Sequence, residues 1–364
     1  MDKIIKNILK KIENEGYEAY IIGGYVRDTL LRKKSYDVDI CTNALPKDLQ
    51  SIFLTHIHSN NYGGINLLCQ KYNIDITTYR KDANYQDGRH PSEVIYINNL
   101  FEDIKRRDFT VNALCMDKNE NIIDLLESKK DLDQKIIKSI GDPNQKFQED
   151  NLRMLRAIRF ATVLDFAIET NTYQAIKDNY LLVNNISKKR IKEELSKILA
   201  SPNYEKGLTL LKETKISDVL ELKCDIIKYT SDLMGMWAQI ICPNIEFSKT
   251  EKDTIDKIRK VLITHKIDNY NLFTYGLYIC TVAADIMNID IKQINKNYKK
   301  LPIKSINEID INGQEIMELL NLKPSKEISE IISKLKIKIL NNELKNNKKE
   351  IKNYLLKEHN NEQR

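Results

Sequence analysis

The sequence predicts an α+β fold in which a mixed, strand-bearing head precedes an almost unbroken series of helices. Three observations predict it. First, residues 19–40 read as strand, glycine turn, helix and strand: the apolar run Ala19 to Ile22 stops at Gly23-Gly24, Val26 to Leu31 starts a helix, and Tyr36 to Ile40 alternates. Second, Ile65 to Cys69 and Asn73 to Tyr79 are strand-like runs separated only by Gln70-Lys71-Tyr72, the pattern of a hairpin. Third, beyond the punctuation mark Gly141-Asp142-Pro143, apolar residues recur at helical spacing nearly to the last residue.

At 364 residues the chain can bury a substantial core and divides into subdomains, expected at 1–140, 141–205, 206–305 and 306–364. The 58 Lys and Arg exceed the 52 Asp and Glu, a net of +6 that permits nucleic-acid binding without requiring it. Six scattered cysteines form no Cys-x-x-Cys pair and read as core residues of a reducing compartment. Met1 to Lys11 mixes lysines with isoleucines as an amphipathic helix, not a signal peptide, and no run approaches the roughly 20 apolar residues needed to cross a bilayer. A cytoplasmic protein without a membrane role is expected.

Taken in order, Lys3 to Ile12 is a helix that Gly16 terminates. The strand Tyr36 to Ile40 puts Asp37 and Asp39 on one face and turns Val38 and Ile40 inward. Two bare carboxylates side by side repel, and hard divalent cations between them make the arrangement favourable; Mg²⁺ takes one or two carboxylates together with substrate phosphates. An edge strand with a polar outer face fits the same alternation. The preceding Gly23-Gly24-x-x-Arg27-Asp28 adds turn amides and a guanidinium suited to a polyphosphate, and the combination points to phosphoryl or nucleotidyl transfer.

Proline at 46 suits the first turn of a helix to Phe53. Asp75 sits between Ile74 and Ile76 in the second hairpin strand. The polar run 81–92, rich in Gly, Pro and charge and containing His90, reads as a mobile loop near the active site. Residues 101–111 read as one helix or two, with the cluster Lys105-Arg106-Arg107-Asp108-Phe109-Thr110, fit either to hold a ribose and phosphate or to form a solvated face. Asp150 and Arg153, three apart, share a helix face. They suit an intrahelical ion pair; equally, a carboxylate acceptor and a guanidinium fork on a rigid helix can pair with the edge of a cytosine or adenine. Ser187 is a candidate N-cap. Residues 208–304 show helices without catalytic clusters, and no His-Asp dipeptide marks a metal phosphohydrolase.

Gly23-Gly24-Tyr25-Val26-Arg27-Asp28 followed by Asp37-Val38-Asp39-Ile40, then Arg106-Arg107-Asp108-Phe109-Thr110-Val111-Asn112-Ala113, then Glu149-Asp150-x-x-Arg153, resembles the ordered motifs of the class II nucleotidyltransferases. These are the bacterial tRNA CCA-adding enzymes and their poly(A) polymerase relatives. The resemblance covers the whole chain. It implies a polymerase-β-like head with a small mixed sheet, followed by helical neck, body and tail, and addition of C, C and A to tRNA from CTP and ATP with Mg²⁺. By resemblance, Asp37 and Asp39 hold metal with Asp75 as a third carboxylate. Gly23, Gly24 and Arg27 hold the triphosphate, Arg107 and Asp108 the ribose and phosphate, and Asp150, Arg153 and Arg156 the nucleobase. The loop at 81–92 is similar to that of enzymes adding the complete CCA, and the Lys-rich tail suits the tRNA elbow. Where the family usually has Leu-Leu-Gly, this chain has Leu30-Leu31-Arg32.

An A-adding partner enzyme or a poly(A) polymerase would share the head and differ in nucleotide preference. A non-catalytic RNA-binding protein on the same head would bind RNA after loss of Asp37 and Asp39. A metal-dependent phosphatase would need a further nucleophile, and the sequence offers none.

Overall fold

In the computed structural model, which describes residues 1–53, 58–59, 64–85, 91–224 and 227–362, the chain divides into two units: Met1–Lys223 with Cys242–Glu246, and Cys224–Ile241 with Phe247–Arg364. The first unit opens with α1 (Lys3–Asn14), capped by the Asp2 carboxylate on the Ile4 N–H at 3.0 Å and burying Ile5, Ile8, Leu9 and Ile12. Then follow β1 (Ala19–Ile22), α2 (Gly24–Leu30), β2 (Asp37–Thr42) and α3 (Pro46–Phe53), with proline at its first position as expected.

A short β3 (His58–Ser59) precedes the hairpin β4 (Gly64–Cys69) and β5 (Tyr72–Thr78). Residues of β5 alternate buried and half-buried, the period-2 pattern of a strand with one face inward. After β6 (Arg80–Tyr85), β7 (Pro91–Tyr96) and α4 (Leu100–Lys105), the short β8 (Cys115–Met116) and β9 (Ile122–Ile123) complete the head sheet. Its order is β3-β4-β5-β2-β1-β8-β9. Only β2 and β5 run parallel, and their register sets Asp37 against Asn73 and Asp39 against Asp75.

The run 81–92, expected to be a loop, is mostly paired. β6 and β7 form a separate antiparallel ribbon, Arg80 opposite Tyr96 and Tyr85 opposite Pro91. A ribbon satisfies its backbone groups by its own ladder, so it forms from polar residues that give no apolar periodicity to read. Residues 86–90, including His90, lie outside the described residues.

Helices α5 (Ser128–Asp133), α6 (Pro143–Glu149), α7 (Leu152–Leu164), α8 (Thr170–Asn179), α9 (Lys188–Leu199), α10 (Tyr204–Glu213) and α11 (Ile216–Val219) complete this unit. One departure from helix is β11 (Ala167–Ile168), parallel to β10 (Ile136–Ile137). Ser187 stands at the N-cap of α9 with extended backbone, but its hydroxyl makes no capping bond.

The second unit is helical: α12 (Leu233–Ala238), α13 (Lys249–Ile263), α14 (Asn269–Met287), α15 (Ile291–Lys299), α16 (Gly313–Leu320), α17 (Lys326–Leu340) and α18 (Lys348–Glu362). Leu272, Ala284, Ile294, Ile316, Leu335 and Ile351 share its core. Within α14 the backbone breaks at Gly276, whose φ of 79° only glycine adopts freely. Among the described residues no helix is long and apolar enough to cross a membrane.

Candidate active site

The turn after β1 brings backbone up to a carboxylate. Gly23 has φ +79°, and a Cβ built on it would stand 3.2 Å from Asp39 Oδ2. Both the dihedral and the closeness require glycine there. One helical turn on, the buried Arg27 donates through Nε to Asp28 Oδ1 at 2.8 Å and through Nη1 to Asn112 Oδ1 at 2.6 Å. Asn112 belongs to the second motif, so this bond joins two segments 85 residues apart.

Asp37 and Asp39 point out of β2 while Val38 and Ile40 are buried. The register brings Asp75 alongside Asp39, with Asn66 donating to Asp75 Oδ1 at 2.8 Å and Asn73 to Asp37 Oδ1 at 3.4 Å. Solvent reaches Asp39, yet protein crowds it: burial raises its pKa, Arg107 works against the rise, and the Asp75 and Asp37 charges add to it. A cluster of hard oxygens whose charges resist coexisting suits a divalent cation. Among the described residues no three His, Cys, Asp or Glu side chains make a metal cage by themselves. Asp37 and Asp39 therefore fit a Mg²⁺ whose remaining ligands are water and substrate oxygens.

Beside the carboxylates lies a cavity of about 460 Å³ lined, among the described residues, by eight arginines: Arg27, Arg80, Arg106, Arg107, Arg153, Arg156, Arg159 and Arg190. The chain holds 12 arginines against 46 lysines, and no lysine lines this cavity. Planar, forked, permanently charged groups are concentrated where the rest of the surface uses lysine, which points to bidentate recognition of phosphate and planar bases.

Several of these arginines are held by buried carboxylates. Asp103, fully buried, accepts from Arg106 Nε at 2.9 Å, Arg107 Nη2 at 3.1 Å and the Arg80 N–H at 3.1 Å. Burial works against the Arg107 charge, but Asp103 and, more weakly, Asp39 outweigh it and raise its pKa. Arg156 donates through Nε to Asp108 Oδ2 at 2.8 Å, with Nη2 at 2.6 Å. Burial alone would raise Asp108; Arg156 and the Phe109 N–H outweigh it and hold the carboxyl at about 2. Arg159 pairs with the buried Glu194 at 2.5 Å. Three guanidiniums surround the Phe160 ring, with Arg159 at 3.8 Å, Arg156 at 5.3 Å and Arg27 at 5.4 Å from its centroid.

Asp150 and Arg153, which line the same cavity, do not pair with each other. Asp150 Oδ1 accepts from the Leu152 N–H at 3.1 Å and from Arg190 at 3.5 Å. Arg153 Nη1 donates to Lys146 O and Glu149 Oε2, and Nη2 to Arg106 O. Of its five N–H groups, Nε and one Nη2 hydrogen remain for a ligand.

The structure thus brings the residues singled out by sequence, Gly23, Gly24, Arg27, Asp39, Arg107, Asp108, Asp150 and Arg153, to one cavity wall, with Asp37 and Asp75 on the adjoining sheet face. Arg156, grouped from sequence with the base readers, lines the same cavity and is paired there with Asp108, 48 residues away in the chain. Sequence reasoning missed Asp103, Asn112, Phe160, Arg159, Glu194 and Arg190 as parts of the site. The scarcity of arginine in a lysine-rich chain is the signal that marks most of their neighbours.

Comparison with known proteins agrees with this geometry. Residues 19–138 match the model of the poly A polymerase head domain, 165–224 the probable RNA and SrmB-binding site of polymerase A, and 230–355 the putative tRNA nucleotidyltransferase domain 2. The chain is 32% identical to the CCA-adding enzyme of Pediococcus pentosaceus, over 93% of each chain. It is 34% identical to that of Staphylococcus haemolyticus, over 95% of each. The fold superposes on the crystal structure of the Bacillus stearothermophilus CCA-adding enzyme in complex with CTP with a TM-score of 0.87, at 26% identity, covering 100% of this chain and 99% of that one.

Proposed function

The chain belongs to the tRNA nucleotidyltransferase/poly(A) polymerase family, among its CCA-adding enzymes, and from that premise we propose that it adds C, C and A in order to the 3′ end of tRNA, using CTP and ATP without a nucleic acid template and releasing pyrophosphate. The observation that carries this reading is the single cavity in which the carboxylate strand, the Gly23-Gly24 turn, eight arginines and the Asp150–Arg153 helix meet.

Asp37 and Asp39 would hold Mg²⁺, whose chemistry would be to lower the pKa of the RNA 3′-hydroxyl and neutralise charge at the α-phosphate. Asp75 stands beside Asp39 and adds to the negative field that attracts the cation. Arg27, braced by Asn112 and Asp28, and the Gly23-Gly24 turn hold the triphosphate. Arg107 faces the same phosphates, with Asp39 near enough to stabilise its charge. Asp108, kept ionised by Arg156, accepts a hydrogen bond from a ribose hydroxyl.

Asp150 and Arg153 read the base. Cytosine and adenine each present an exocyclic amine next to a ring acceptor; the Asp150 carboxylate accepts from the amine and Arg153 donates to the acceptor. Uracil and guanine put a carbonyl where the amine should be, leaving Asp150 facing a second acceptor. The protein edge thereby replaces a template. The β6–β7 ribbon beside the cavity takes part in the change from C to A. Residues 141–205 serve as the base-reading neck and 206–305 as the body, and the lysines of 306–364 hold the tRNA in a cytoplasmic setting.

The test uses purified protein, Mg²⁺ and labelled tRNAs ending before CCA, after C and after CC, each with CTP, ATP or both. Ordered growth of the first tRNA to CCA, then arrest, is expected. Extension of the CC-ended tRNA alone would make this an A-adding enzyme, long A tails a poly(A) polymerase, and no extension would overturn the reading.

A further inference from the structure

Asp103 is a fully buried carboxylate that holds three of the cavity's arginine residues from behind, and none of the roles assigned above includes it. Two chain segments meet on it. Arg106 and Arg107 reach it from the residues that follow its own short helix, and the Arg80 N–H reaches it from the first residue of β6. Arg80 follows the fully buried Tyr79, whose N–H donates to Thr42 O at 2.7 Å and whose carbonyl accepts from the Ile97 N–H at 3.0 Å. The β6 foot of the ribbon is therefore pinned to the end of β2, the strand of Asp37 and Asp39, and the β7 foot is pinned to the β6 foot through Tyr79.

We propose that Asp103 is a positioning residue: it sets the direction in which Arg106 and Arg107 present their guanidiniums to the nucleotide's phosphates, and it ties that direction to the root of the β6–β7 ribbon. The inference rests on the proposed function and extends it to a residue outside the reacting atoms. The bonding around Arg107 carries it. One Nη2 hydrogen is anchored on Asp103 while the buried Nε has no acceptor among the described residues, and the same guanidinium lines the cavity. An anchored fork with an unmet buried donor is poised for an oxygen that arrives with a ligand. Because one carboxylate also accepts the Arg80 N–H, a shift of the ribbon root moves an acceptor that both arginines share.

The experiment compares the full-length parent with Asp103→Asn and Asp103→Glu. Nucleotide is titrated at saturating tRNA, tRNA at saturating nucleotide, and folding is followed by circular dichroism and thermal melting. Asparagine keeps the size but turns a donor group toward Arg107, so the KM for both CTP and ATP rises about tenfold or more with the KM for tRNA within about twofold of the parent. Glutamate keeps the charge one methylene further out and gives a smaller rise in nucleotide KM. If the asparagine variant does not fold, the glutamate variant decides alone by the same split. A folded variant with the parent's nucleotide KM, or one in which both KM values rise equally, overturns the inference. A parent that extends no tRNA fails the proposed function instead, a different and separable result.

Discussion

Gly23 and Asp39 are so close that a Cβ on the glycine would stand 3.2 Å from the carboxylate oxygen Oδ2, at a backbone φ of +79°. Gly23→Ala therefore combines two penalties: an alanine at φ +79°, ψ −135° costs of order 1–3 kcal/mol, and the added methyl pushes the Asp39 carboxylate, proposed to hold the metal. A displacement of that kind reduces turnover about 100-fold. Gly24→Ala is the control for stability, since its Cβ meets only Arg27 Nη2 at an ordinary 3.6 Å. Denaturant melts and single-turnover addition of C check both; a Gly23→Ala protein as stable and fast as the parent would remove the turn from the site.

Asp39 carries a pKa raised first by burial and then by Asp75 and Asp37 against the opposition of Arg107. A raised carboxyl contributes stability below its unfolded pKa and loses it as pH rises through the folded one. At neutral pH the metal-free parent therefore holds an uncompensated charge. Asp39→Asn should melt higher than the parent without metal, gain nothing when Mg²⁺ is added, and lose about 1000-fold or more in addition rate. Thermal melts with and without Mg²⁺ read this directly, and an equal Mg²⁺ shift in both proteins would exclude Asp39 as a ligand.

The carboxylate pair was legible in the sequence because strand alternation at Asp37 and Asp39 is a local property, and the hairpin that delivers Asp75 announces itself the same way. The bracing of the arginines was not. Arg27 meets Asn112 and Arg156 meets Asp108 across 85 and 48 residues of chain, and such pairs exist only once the head and its following helix have packed. Arg156 shows the consequence: the resemblance grouped it with the base readers, and only tertiary packing reveals that it also pairs with Asp108. The β6–β7 ribbon was missed for the opposite reason, since its backbone ladder leaves no trace in apolar periodicity.

Arg32 stands where the motif of the resembled family has glycine, and its φ is +57°. A side chain in the left-handed region costs about 1–2 kcal/mol, offset in part because glycine has more freedom to lose on folding. Arg32→Gly should therefore stabilise the protein by up to about 1 kcal/mol with unchanged addition rates, Arg32 lying outside the cavity wall. A shift of the urea midpoint to higher concentration checks it; a lower midpoint would mean that the arginine side chain contributes more than its backbone costs.

Asp108 is held at about 2, below its ordinary 3.8, because Arg156 and the Phe109 N–H outweigh the cost of burial. A depressed carboxyl contributes stability above its unfolded pKa and loses it as pH falls through the folded one. Asp108→Asn should be less stable than the parent by about 2 kcal/mol at pH 7, and the gap should close between about pH 4 and pH 2. A gap that persists at pH 2 would assign the loss to packing and not to the Arg156 ion pair.

The proposed base reading is tested most directly at Asp150, because Arg153 also holds the backbone at Lys146 and Arg106 and its removal would disturb folding as well. Asp150 is an acceptor toward any ligand, and Arg190 at 3.5 Å keeps it turned to the cavity wall. Asp150→Asn offers an amide that can donate, so a uracil carbonyl finds a partner where the carboxylate would have faced it with a second acceptor. Discrimination of this kind is worth about 1–3 kcal/mol. The ratio of CTP to UTP incorporation should therefore fall about ten- to hundredfold while the Mg²⁺-induced thermal shift stays at the parent's value. Competition between labelled CTP and UTP on a tRNA lacking CCA measures the ratio. An unchanged ratio in a folded, active Asp150→Asn would take Asp150 out of the reading edge and leave the selection to the shape of the arginine-lined cavity alone.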